Sequence, residues 1–294
     1  MQFFRRTVSS FAKYAFFRPT RAKNLVALPH RLLFSLDKYK TGAFLISLSW
    51  FRSSKEANKE DALRKTLLST ADALYKESKY REICTLLGDY KDGNDVEILW
   101  RLSRAQYNLS QEIATSPEEK KSLIFAAYEV ISKSLALDKD HFANHKWMSI
   151  LLDAKSTYEG IKTRITHLQT VKEHMLKASE LNPNDATTLY MLGLWCYQIT
   201  DMPWYQRKVA STIFTAPPVS SYEEALIYFS KAEEVEPRFY SQNLLMLGKT
   251  YLKLNKEDNA RYYLNLACDY PISNDDDLLA SKEACELLEK LNKK

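Results

Sequence analysis

The chain predicts an all-α solenoid of helical hairpins, and three observations carry that reading. Its 294 residues are 45% hydrophobic but include only six glycines. It can therefore bury a sizeable core, yet it lacks the glycine-rich turns of a β-sandwich or of phosphate-binding loops. From about residue 60, apolar residues recur at helical spacing in short segments broken by Pro, Asn-Asp or Gly, and no segment alternates like a strand. Finally, Leu189, Leu192, Gly193 and Cys196 are spaced 3, 1 and 3, while Ala225, Phe229, Ala232 and Pro237 are spaced 4, 3 and 5.

Those spacings are the two halves of the 34-residue tetratricopeptide repeat. In an intact repeat, positions 11 and 20 lie 9 apart, whereas Cys196 and Ala225 lie 29 apart. The repeat is split by an insert, residues 201–221, and its two helices are expected to be separated in space.

The elements follow in order. A first hairpin carries Leu67, Ala71 and Leu74, then Tyr80, Ile83, Leu87 and Tyr90, and ends at Lys91-Asp92-Gly93-Asn94. A second begins with Trp100 and Tyr107 and resumes, after the N-cap signal Ser116-Pro117-Glu118-Glu119, through Ala127, Ile131, Ser134 and Leu135. The third holds Trp147, Ile150, Leu151 and Ala154, a spacer around Gly160, then Val171, Met175, Ala178 and Pro183. The split repeat is the fourth. The fifth runs from Leu244 through Leu247, Gly248, Tyr251, Asn255, Ala260, Leu264 and Ala267 to Pro271. Asp275 to Asp277 favour the start of a last helix, with Leu278, Ala284, Leu287, Leu288 and Leu291, that caps the array. The expectation is about five repeats and a capping helix.

Close packing explains the small residues. A mid-helix glycine costs about 1 kcal/mol against alanine, so Gly193 and Gly248 imply helices crossing too tightly for a side chain. Ala178, Ala232 and Ala267 serve the same approach, and Pro183, Pro237 and Pro271 end second helices.

The net charge of +5 is unevenly distributed. Residues 1–36 hold seven Lys or Arg and no acid, which leaves 35 basic against 37 acidic residues in the remainder. The repeat region, 57–294, is therefore not a basic domain, and nucleic acid is not an expected partner. Within 1–56, Phe4, Val8, Phe11 and Ala15 share a helical face opposite Arg6 and Lys13. This pattern fits a mitochondrial transit peptide, a disordered basic tail, or an arm for acidic surfaces. The apolar run Thr41 to Phe51 is 11 residues, about half of what spans a bilayer. It suits an interfacial anchor or a strip folded onto the first repeat.

Cys84, Cys196, Cys268 and Cys285 are far apart with no C-x-x-C pair. Neither a disulfide framework nor a zinc knuckle is expected, and a reducing compartment fits. His141 and His145 stand four apart without a third ligand at suitable spacing, so no metal is expected. Phosphate-loop, dinucleotide, zincin and serine-hydrolase motifs are all missing, so no catalytic residue or cofactor is assigned.

The segments H-K-W-M (145–148), Y-E-G-I-K (158–162), L-N-P-N-D-A-T (181–187), W-C-Y (195–197), M-P-W-Y-Q-R-K (202–208) and Y-S-Q-N-L-L-M-L-G-K-T-Y-L-K-L (240–254) resemble the regulator of microtubule dynamics family over roughly residues 60–275. The insert motif is specific to it. The resemblance implies a tetratricopeptide-like protein that associates with microtubules and spindle poles and is linked to chromosome segregation. A related, membrane-anchored member works at contacts between endoplasmic reticulum and mitochondria and binds phospholipid through its repeats. Its transmembrane helix is not matched here, so tethering does not carry over. No family residues for tubulin contact are transferred.

Two candidate regions for partner binding remain. In the insert, Asp201-Met202-Pro203 starts a short helix with Tyr205, Val209 and Ile213 on one stripe and Arg207 and Lys208 elsewhere, closed by Ala216-Pro217-Pro218. Trp204, Tyr205 and Phe214 then either plug the gap between the separated helices or line a lid over the groove. The second region is a net-positive patch at 155–177 with Lys162, Arg164, Lys172, Lys177, His167 and His174. It is either a solvated face or a contact for acidic tubulin tails or anionic headgroups. A peptide or phospholipid in the groove completes the expected partners, and a mitochondrial lipid-binding or scaffold protein is the alternative role.

Overall fold

The computed structural model describes the backbone of residues 44–214 and 216–293 and the side chains from residue 59 onward. The basic segment 1–36 and the first residues of the 41–51 run lie outside the described residues, while Phe44 onward is helical. The described residues form twelve helices and no strand: α1 (Phe44–Lys76), α2 (Tyr80–Gly88), α3 (Val96–Gln111), α4 (Pro117–Leu137), α5 (Phe142–Glu159), α6 (Ile161–Leu181), α7 (Ala186–Thr200), α8 (Trp204–Ile213), α9 (Tyr222–Val235), α10 (Ser241–Lys253), α11 (Glu257–Cys268) and α12 (Asp275–Asn292). α1 passes through residue 57 without a break. None of the described helices is long and apolar enough to cross a membrane.

The hairpin boundaries follow local chemistry. Asp95, Ser116, Asp185, Ser221 and Asn274 each cap a helix by accepting a backbone N–H two or three residues on. Pro117 occupies the first turn of α4, where its missing N–H costs nothing. Gly160 alone separates α5 from α6, and its φ of 106° is a backbone state that side chains rarely adopt.

The helices pack in pairs, α1 with α2, α3 with α4, α5 with α6, α7 with α9 and α10 with α11, and each pair stacks on the next. The largest core cluster joins α3 through α10, with Trp195, Tyr107, Tyr190 and Phe229 fully buried. Smaller clusters close the two ends, one around Ile83, Leu87 and Leu99 and one around Leu244, Leu264, Ala280 and Ala284. Ala178, Ala232 and Ala267 are all 0% exposed.

At the split repeat the structure departs from expectation. α7 and α9 pack directly on each other despite the insert. A Cβ on Gly193 would lie 2.7 Å from the Phe229 ring, and Tyr190 meets the same ring at 5.8 Å. There is no gap to plug. The reason is that both ends of the insert are tied to the helix pair. The Asp201 carboxylate accepts from the Tyr222 hydroxyl at 2.7 Å and from Lys253 Nζ at 2.6 Å. Lys172 on α6 reaches Glu224 on α9 at 2.9 Å. The intervening residues loop out and form α8, which lies against α6 of the preceding repeat.

Candidate functional site

α8 is amphipathic as its spacing suggests, but Trp204 at its start is not covered. Ala210 is 2% exposed, and Val209, Ile213, Phe214 and Met202 pack partly buried against the main core. Trp204 is 76% exposed, with Tyr205 set edge-on beside it at 6.1 Å. Trp204 is thus neither plug nor core; it stands at the start of α8 as a free apolar face. Arg207 donates to the Met202 carbonyl at 2.8 Å and the Thr200 carbonyl at 2.6 Å, so it caps the C-terminus of α7. Lys208 is exposed.

The basic patch is largely spent within the molecule. Arg164 forms a two-pronged pair with Asp153 at 2.8 and 3.2 Å, with the two side chains 15% and 3% exposed. Lys172 lies 4.5 Å above the Trp195 ring while it pairs with Glu224. His167 meets the Ser156 hydroxyl, and Lys177 sits near Glu180. Of the patch candidates, Lys162 is left exposed. The carboxylates that meet Arg164 and Lys172 come from neighbouring helices, which a count of charge along α6 does not register.

His174 is paired with another histidine. Its Nδ1 lies 2.9 Å from His145 Nδ1, and His145 Nε2 lies 2.7 Å from the Lys139 carbonyl. With His145 Nε2 donating to that carbonyl, its Nδ1 is the acceptor and His174 Nδ1–H the donor. Burial, then the neighbouring His145, push His174 from 6.5 down to about 4, with Glu173 opposing. The unfolded chain binds more protons than the folded one between these values. This contribution to stability is complete above about pH 6.5 and is lost as the pH falls toward 4. Urea midpoints should drop across that window, and His174→Phe should flatten that part of the profile. An identical slope in the variant would refute the assignment.

A second polar constellation, missed in the sequence, lines the first repeats. The Arg104 guanidinium lies 3.6 Å from the Tyr75 ring centroid and 4.8 Å from that of Trp100, while Arg101 covers the other part of Trp100 at 4.3 Å. Asp72 accepts from both arginines, at 2.8 to 3.0 Å. Glu97 accepts from Trp100 Nε1 at 2.9 Å and Arg101, and meets His141 Nε2 at 3.0 Å. Burial would raise Asp72 and Glu97, but these hydrogen bonds outweigh it and hold both carboxyls below their ordinary range. Burial lowers Arg104 and pushes the Tyr75 hydroxyl up to about 12. The legible signal was there: Glu97, Trp100, Arg101, Arg104 and Asn108 fall at i, i+3, i+4, i+7 and i+11, one polar stripe on an otherwise apolar helix.

Beside this array an open cleft of about 560 Å³ is lined by Arg64, Asp95, Glu97, Asp138 and His141. Arg64 pairs with Asp95 across its mouth. Around it, fixed charges of both signs are held by mutual hydrogen bonds. No nucleophile is poised beside a base there. Among the described residues no group of three His, Cys, Asp or Glu is placed to hold a metal.

The cysteines correct another expectation. Cys268 and Cys285 form a disulfide between α11 and α12, with Cα atoms 5.2 Å apart. Cys84 and Cys196 are free.

The fold and these surfaces define a tetratricopeptide-like helical-repeat protein. A solved tetratricopeptide protein of Thermus thermophilus superposes with a TM-score of 0.52 at 16% identity, covering 75% of this chain and 98% of its own. The profile of the family described as Regulator of microtubule dynamics protein 1-3 matches residues 67–292. Regulator of microtubule dynamics protein 1 of Bos taurus is 46% identical over 222 residues, covering 76% of this chain and 70% of its own. The Pongo abelii protein of the same name is 42% identical over 263 residues, covering 87% of this chain and 84% of its own. Regulator of microtubule dynamics protein 3 of Xenopus laevis is 35% identical, covering 76% of this chain and 49% of its own. The chain belongs to the regulator of microtubule dynamics family.

Proposed function

We propose that this protein is a non-enzymatic, microtubule-associated adaptor that acts at the spindle and spindle poles in chromosome segregation. The observation that carries the reading is the family match over residues 67–292, which coincides with the repeat array and includes the insert. The binding surface is the exposed Trp204 with Lys208 on α8. Trp204→Ala together with Lys208→Glu should cut the fraction that co-sediments with taxol-stabilised microtubules at low salt. Stability should shift by no more than about 0.5 kcal/mol, as for exposed positions generally. Wild-type protein that stays in the supernatant at low salt would sink the microtubule reading.

The repeat region carries no cationic excess, so electrostatic attraction to acidic tubulin tails would come from the basic N-terminal residues. Replacing those seven Lys and Arg by Gln should then abolish pelleting, and pelleting by the wild type should weaken as salt rises. The same acid-free stretch favours a second reading, import into mitochondria and a scaffold or phospholipid-binding role there. Mass spectrometry of the endogenous N-terminus, combined with imaging of a C-terminal tag, separates the two: an intact Met1 and spindle-pole signal reject import.

A further inference from the structure

Cys268 is the last residue of α11 and Cys285 lies in the second half of α12, 17 residues on. Both are only half-buried. The other two cysteines are poor candidates for exchange, because burial pushes each thiol up to about 12 and neither has a partner sulfur.

α12 is the terminal layer of the array. Ala280, Ala284 and Leu291 cover Leu244, Leu264 and Ala267, whereas Leu279 on the outer side is 56% exposed. Its N-terminal half is pinned to α10: the Ser241 hydroxyl donates to Asp277 at 2.8 Å, the Gln242 amide to the Asp276 carbonyl at 3.1 Å, and Lys249 pairs with Glu283 at 2.7 Å. Arg261 donates to the Leu291 carbonyl at 2.8 Å near the other end. The disulfide joins this helix covalently to the body of the last repeat.

We propose that the Cys268–Cys285 pair is a thiol–disulfide exchange site that locks and releases the capping helix, with a low-molecular-weight thiol of the glutathione class as its co-reactant. In release, a thiolate attacks one of the two sulfurs, the S–S bond breaks, a mixed disulfide forms, and the displaced sulfur takes up a proton. A second thiolate then attacks the mixed disulfide and frees the remaining cysteine, which is also protonated. The protein disulfide gains two electrons and the two small thiols leave as their own disulfide. Locking is the reverse, with the oxidised small disulfide as oxidant. Release uncovers Leu244, Leu245 and Leu264, each at most 2% exposed in the closed form. That is the apolar end on which a further hairpin would stack in a longer array.

The test is hydrogen exchange on the full-length protein equilibrated with oxidised or with reduced glutathione, alongside alkylation under denaturing conditions. After oxidised glutathione, two cysteines should alkylate; after reduced glutathione, all four. Closing a loop of this length implies that reduction raises the local opening equilibrium of α12 on the order of 100-fold. Amides of α4 to α7 should be unchanged. Cys285→Ser should behave as the reduced form in both buffers, and where that variant does not fold the wild-type comparison alone decides. Four alkylated cysteines after oxidised glutathione, or equal α12 protection in both buffers, overturns the proposal.

Discussion

Replacing Arg164 with alanine is expected to lower the unfolding free energy by about 3–5 kcal/mol, the range for removing one partner of a buried ion pair. Asp153 on α5 is only 3% exposed at its side chain and takes both of its inter-helix hydrogen bonds from this one guanidinium. Truncation leaves the carboxylate buried without compensation, and the damage falls on the α5–α6 turn where Gly160 reverses the chain. The loss comes from the orphaned charge, so replacing both partners should restore most of it. Asp153→Leu with Arg164→Met is expected to lie within about 1 kcal/mol of wild type. Urea unfolding of wild type, Asp153→Leu, Arg164→Met and the double variant closes the cycle. A cost below about 1 kcal/mol for Arg164→Ala would place the pair among surface bridges and leave the arginine available for an external partner.

Gly193→Leu is expected to cost about 3 kcal/mol, the upper part of the range for overpacking a filled core. Even one added carbon would come within 2.7 to 2.9 Å of three Phe229 ring atoms, and that ring is 0% exposed. Space rather than helix propensity decides the sign, since propensity alone would favour leucine by about 1 kcal/mol. Gly88 is the internal control. It ends α2 with nothing within 4 Å of an added Cβ, so Gly88→Ala should be neutral or stabilise by up to about 1 kcal/mol. Shrinking the obstructing ring tests the cause: Gly193→Ala with Phe229→Leu should be less destabilised than the two single changes added together. A melting temperature unchanged by Gly193→Leu would contradict the packing of α7 on α9.

Much of the architecture was readable because close packing leaves a mark on composition. Gly193 and Gly248, the buried alanines and the prolines past α6, α9 and α11 recur at fixed offsets, and each offset reflects a crossing between neighbouring helices. The disulfide was not readable in this way. Cys268 and Cys285 are 17 residues apart, and only the angle of the last hairpin brings their faces together. The charge patch misled for a related reason: spacing along α6 shows which residues share a side, not that Asp153 and Glu224 reach it from other helices. In the insert, the periodic stripe of Val209 and Ile213 was legible, whereas the exposure of Trp204 was not, because an aromatic in a short helix has the same pattern whether covered or bare.

The position of α8 bears on how the array comes apart. In a simple repeat protein each hairpin contacts only its neighbours, and unfolding can begin at either end and proceed one unit at a time. Here a helix that belongs by sequence to the fourth hairpin rests on the third, and Lys172 bolts the same two hairpins together from the other side. Fraying from the C-terminus that reaches the fourth hairpin must therefore strip a helix from the third as well. The third and fourth hairpins are expected to unfold as one cooperative block.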